Sequence, residues 1–180
     1  MEEFLKKISD QYNGIINITE STWYNGHAYM PLYVYSLQFN ANDLNIQFRY
    51  ELRQSEFNKS KSVDGGAFGD RHIFEFNASN NKKEWPGFEV NETGIFKRIA
   101  SKRKALFNIT SKSQNLCKTL LNNSDLNQIM SFINIDSEFS PNISGKAKED
   151  VYRLKIVFHL QQMHYDLLKH CFQFLIKFEA

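Results

Sequence analysis

The chain predicts a single α+β domain over residues 1–180, an antiparallel β-meander with one face covered by a C-terminal helix and two shorter helices. Two observations lead there. Residues 15–53 alternate apolar and polar side chains through three stretches separated by turn residues, the period-two pattern of half-buried strands. Residues 163–178 place Leu167, Leu168, Cys171, Phe172, Leu175 and Ile176 on one broad helical face. A sheet with one apolar side needs a cover, and that helix can supply it. At 180 residues with 42% hydrophobic and 23% charged side chains, the chain is long enough for one core and is not of disordered composition.

Taken in order, Phe4, Leu5 and Ile8 are spaced to face inward from a short helix over residues 2–10, which Asn13-Gly14 ends. Asn25-Gly26 is the dipeptide favoured in a two-residue hairpin turn. That turn sets Tyr24 opposite His27, and therefore Ile18 opposite Tyr33 and Ile16 opposite Tyr35. Closing the next turn over Asn40, Ala41, Asn42 and Asp43 sets Tyr35 opposite Phe48 and Tyr33 opposite Tyr50. Both turns gather the apolar residues on one face and leave Asn45, Gln47, Arg49, Glu51 and Arg53 on the other.

A polar connection of residues 54–70 leads to a fourth strand at 71–77, and Trp85-Pro86-Gly87-Phe88 reads as a type II turn. Residues 105–110 suggest another strand. Two short helices follow, the first capped by Ser111 or Ser113 and the second by Ser124. Residues 135–147 read as a loop around Pro141 and Gly145. Tyr152, Leu154, Ile156, Phe158 and Leu160 alternate as in a strand, although a helix continuous with the last one fits nearly as well.

Composition narrows the function classes. Lys plus Arg exceed Asp plus Glu by 22 − 20 = 2, which gives no electrostatic footprint for wrapping nucleic acid, so nucleic acid is not an expected partner. No signal-peptide pattern and no transmembrane segment is visible, and Cys117 and Cys171 sit on apolar helical stripes as small hydrophobes, which together suggest a cytoplasmic protein. Asn-x-Ser/Thr triplets recur, as expected of an Asn-rich chain. The histidines at 27, 72, 159, 164 and 170 show no helical ligand spacing, and no metal or other cofactor is expected. The glycine-rich residues 65–72 lack the strand, helix and Lys-Ser/Thr pair of a phosphate loop.

Three sets of residues remain as candidate binding sites, and none carries a catalytic constellation. Trp23, Tyr24, His27 and Tyr29 cluster at the hairpin tip, where large aromatics are hard to bury. Lys97, Arg98, Lys102, Arg103 and Lys104 form a basic segment suited to phosphates, anionic lipid heads or an acidic partner. Tyr33, Tyr50, Phe172 and Ile176 would border a cleft between sheet and final helix. Glu20 falls on the apolar face by this register, where a partly desolvated carboxylate could meet His72, but the expectation is that the apolar face has ended there and that the side chain reaches water at the sheet rim. The expected function is a non-enzymatic binding or accessory protein acting through protein–protein contacts, with a partner protein or with itself. The alternative is a binder of a small apolar ligand in the cleft.

Overall fold

The computed structural model describes residues 1–55, 70–82, 84–93 and 106–179. Its elements are α1 (Glu2–Tyr12), β1 (Ile15–Tyr24), β2 (Tyr29–Ala41), β3 (Leu44–Arg53), β4 (Arg71–Asn80), β5 (Phe88–Glu92), β6 (Phe107–Ser111), α2 (Gln114–Leu121), α3 (Ser124–Ser131), a 3₁₀ turn at Phe132–Asn134, β7 (Asn142–Lys148), β8 (Val151–Leu160) and α4 (Tyr165–Ile176). Among the described residues all eight strands join one antiparallel sheet in the order β1-β2-β3-β4-β8-β7-β5-β6. The first four run as a meander. The β7-β8 hairpin then inserts between β4 and β5, so the last strand of the chain lies near the middle of the sheet.

The α+β class holds, with the C-terminal helix present, while both hairpin registers differ from expectation by two residues. Tyr24 pairs with Tyr29, so Ile18 faces Tyr35 and Ile16 faces Leu37. Pro31 supplies the reason. A two-residue turn would make Tyr24 and His27 a hydrogen-bonded pair, and hence Glu20 and Pro31 another, yet proline has no N–H to donate. Instead Asn25 to Ala28 form a four-residue loop, closed by Asn25 N–H donating to Ala28 O at 3.1 Å. The Asn25 Oδ1 accepts from the N–H groups of His27 and Ala28 at 2.9 and 2.8 Å. Pro31 now turns its donorless nitrogen towards the end of β3, where Gln54 O accepts from the Trp23 indole at 3.3 Å instead.

The second hairpin is tighter than expected. Asn42 and Asp43 have φ of 47° and 63°, the left-handed pair of a two-residue turn, and Ala41 pairs with Leu44. Leu37 therefore faces Phe48, and Tyr35 faces Tyr50. A slip of two preserves which side of the sheet each residue occupies. Leu44, Ile46, Phe48 and Tyr50 accordingly lie buried, opposite the polar set at 45, 47 and 49.

The described helices all pack on one side. Phe172 of α4 contacts the rings of Phe4, Phe39, Phe48 and Phe76, at centroid distances of 6.2, 6.0, 5.3 and 5.0 Å. Ser113 caps α2, its side chain accepting from Leu116 N–H, whereas Asn123 rather than Ser124 caps α3 by accepting from Leu126 N–H. Two strands escape the sequence reading, β5 and, within the expected loop, β7. β7 buries only Ile143 and Gly145, and Gly145 must be glycine because the Tyr152 hydroxyl and the Phe88 ring occupy the place of a side chain. Residues 151–160 are strand, not helix.

Candidate interaction site

The cover that the described helices provide ends before the sheet does. On the helix side, cross-strand rows run from the core to the free edge at β1, and exposure rises along them. One row holds Phe158, Phe74, Tyr50, Tyr35 and Ile18. Its rings step outward at centroid distances of 5.1 Å from Phe158 to Phe74, 4.7 Å to Tyr50 and 5.5 Å to Tyr35. The first three are buried, Tyr35 is half-buried, and Ile18 is 37% exposed. The next row holds Leu160, His72, Leu52, Tyr33 and Glu20, passing from buried to fully exposed in the same sense.

Beyond both rows stand Tyr24 and Tyr29, direct cross-strand partners that are 58% and 75% exposed, with ring centroids 5.4 Å apart. Alternation puts them on the same side of the sheet as Tyr33 and Tyr35. Trp23 points the other way, towards its partner Met30 on the helix-free side, with the Arg53 guanidinium 5.8 Å from its ring centroid. The expected tip cluster is thus split. Tyr24 and Tyr29 share one side, Trp23 takes the other, and His27 is exposed in the loop between the strands.

Tyr50 and His72 form the polar floor of this ledge, with Tyr50 Oη 2.8 Å from His72 Nδ1. Burial raises the pKa of Tyr50, with Tyr35, Tyr165 and Asp70 adding to the effect. Burial likewise lowers that of His72, against the opposing pull of Asp70, Asp136 and Glu138. Both shifts favour the neutral forms, so the contact is a hydrogen bond between an uncharged hydroxyl and an uncharged imidazole. Glu20 and His72 lie in one row but are separated by two strands, about 14 Å at ordinary strand spacing. They do not meet, and Glu20 is exposed.

The four residues expected to border a cleft are dispersed. Phe172 sits among core rings, Tyr50 is buried beside His72, and Tyr33 lies on the ledge. Ile176 is at the far end of α4, its carbonyl accepting from Asn42 Nδ2 at 2.9 Å. The basic segment Lys97, Arg98, Lys102, Arg103 and Lys104 lies outside the described residues.

Two buried carboxylates went unread in the sequence. Asp125 accepts from Lys177 Nζ at 3.2 Å and lies 2.9 Å from His170 Nδ1, tying the start of α3 to α4. Asp136 accepts from the N–H groups of Glu138 and Gln161, both at 3.0 Å, tying the loop before β7 to the end of β8. Each anchors one segment to another. Among the described residues no three His, Cys, Asp or Glu side chains gather as a metal site, and no helix is long and apolar enough to cross a membrane.

Comparison of the chain with protein-family models, with curated proteins and with solved structures gives no match.

Proposed function

We propose that this chain is a non-enzymatic binding protein that acts through protein–protein contacts, and that the tyrosine ledge is its contact surface. One observation carries the reading: Tyr24 and Tyr29 stand exposed and ring to ring at the tip of the β1-β2 hairpin, on the same side of the sheet as Tyr33, Tyr35 and Ile18. Tyrosine is a common interface anchor because it offers a large rigid apolar surface with a polar tip at low entropic cost.

A photo-crosslinking amino acid placed at Tyr29 should couple the chain to its partner in cells that express both. The identified partner, once purified, is then titrated against the wild type and the Tyr24→Ala/Tyr29→Ala variant. The double variant should melt as the wild type does, within about 0.5 kcal/mol of stability, because neither ring is buried. Its affinity should fall by about 2 to 4 kcal/mol, the scale of losing a desolvated anchor. Unchanged affinity, or loss of cooperative melting, would remove the ledge as a contact surface.

A further inference from the structure

β1 is a long edge strand whose single charged guard is Glu20. Natural sheets blunt their edges with lysine, proline, bulges or short strands. β1 is ten residues long and contains no Lys, Arg or Pro. Its register with β2 runs unbroken from Ile15 to Tyr24, and no described strand lies beyond it. The opposite edge, β6, has only five residues.

The free backbone groups can be assigned. Asn25 bonds Ala28, and bonded pairs recur at every second residue, so the odd-numbered residues of β1 are those bonded to β2. Ile16, Ile18, Glu20 and Thr22 therefore turn their N–H and C=O groups outward. Their side chains all lie on the ledge side, and among them only Glu20 is charged.

These features also bear on what can dock. A second copy pairing antiparallel through β1 has two registers with near-complete overlap. One puts Thr19 on the two-fold axis and sets each Glu20 against Ile18 of the second copy. The other puts Glu20 on the axis, opposing two carboxylates. Like charges directly opposite destabilise a strand pair, and neither register gives Glu20 a partner.

We propose that β1 is a strand-addition site for an extended segment of another protein, one that carries aliphatic residues beside Ile16 and Ile18 and a lysine or arginine opposite Glu20. The inference rests on the protein-contact reading and names the partner's chemistry. The backbone ladder would provide affinity, the ledge side chains specificity, and the Glu20 pair the register.

The test uses the full chain and fluorescent nine-residue peptides of alternating threonine and valine with one central lysine, read by anisotropy. N-methylation is scanned along the peptide. Methyl groups on every second amide should weaken binding about tenfold or more, while those between should leave it unchanged, since only one set of amides faces β1. Replacing the peptide lysine by glutamate should weaken binding about threefold or more, and Glu20→Lys should restore it.

Binding indifferent to N-methylation would overturn strand addition, because it would show side-chain docking alone. So would peptides that fail to bind while Tyr29 still crosslinks a partner whose affinity depends on Tyr24 and Tyr29. That outcome leaves the ledge reading intact. A concentration-dependent dimer in sedimentation, dissociated by Ile18→Pro, which removes an outward N–H and no bond to β2, would instead assign the edge to a second copy.

Discussion

At the scale of the residue, side of the sheet decides cost. Phe48 is fully buried between the rings of Phe74, Phe76 and Phe172, whereas its neighbour Gln47 is exposed on the helix-free side. Phe48→Ala should therefore cost about 3 to 5 kcal/mol in urea melts, the range for emptying a core aromatic position. Gln47→Ala should stay within about 0.5 kcal/mol. Equal sensitivity at the two sites would mean that the faces are wrongly assigned. His72 adds a dependence on pH. Burial lowers its pKa from the ordinary 6.5, so the unfolded chain takes up the proton first. The associated stability is complete above that value and is lost as pH falls through it towards the lower folded value. The melting temperature of the wild type should thus fall more steeply than that of His72→Gln between about pH 7 and about pH 5. Parallel curves would show that His72 does not contribute.

At the scale of the element, the strands were legible where large apolar residues alternate, as in β2, β3 and β8, and illegible where they do not. β7 was missed because Ile143 is its one large buried side chain and the next buried position is Gly145, beneath Tyr152 and Phe88, which leaves little period-two signal. The register slip has a different origin. Asn25-Gly26 is a strong local signal for a two-residue turn, but Pro31, six residues past Asn25, vetoes the bonded position that this turn would impose on it. The ledge was obscured by the same slip, since Tyr24 and Tyr29 become cross-strand partners only in the longer loop. That loop depends on the Asn25 side chain, which accepts two backbone N–H groups. Asn25→Ala should cost about 1 kcal/mol, the net worth of such bonds at a partly exposed site, measurable by denaturant melts. Asn25→Asp, which retains the Oδ1 acceptor, should recover most of it. If Asn25→Ala were neutral, the loop would owe its shape to the strand pairing alone.

At the scale of the whole molecule, the last segments of the chain complete the structure. β8 fills the gap between β4 and β7, and α4 then covers the face that β8 completes. Five buried Leu and Phe side chains of α4, at 167, 168, 172, 174 and 175, face the core. At about 1.5 to 3 kcal/mol for each, their burial is worth about 8 to 15 kcal/mol. That matches the whole net stability of an ordinary domain, about 5 to 15 kcal/mol. Ending the chain after His164 should therefore leave no cooperative fold, even though every strand of the sheet is retained. The shortened chain should keep part of its far-ultraviolet strand signal, lose its near-ultraviolet aromatic signal and bind an apolar dye, because the rings of Phe48, Phe74 and Phe76 would face solvent. A sharp thermal transition in that shortened chain would show that α1, α2 and α3 can hold the sheet without α4. The opposite deletion gives the contrast. Removing only residues 178–180 takes away the Phe178 ring, which lies 5.6 Å from Phe88 and 5.8 Å from Phe174, and should cost no more than one core aromatic. Loss of all cooperative structure there would place the decisive packing at the end of the chain rather than along the face of α4.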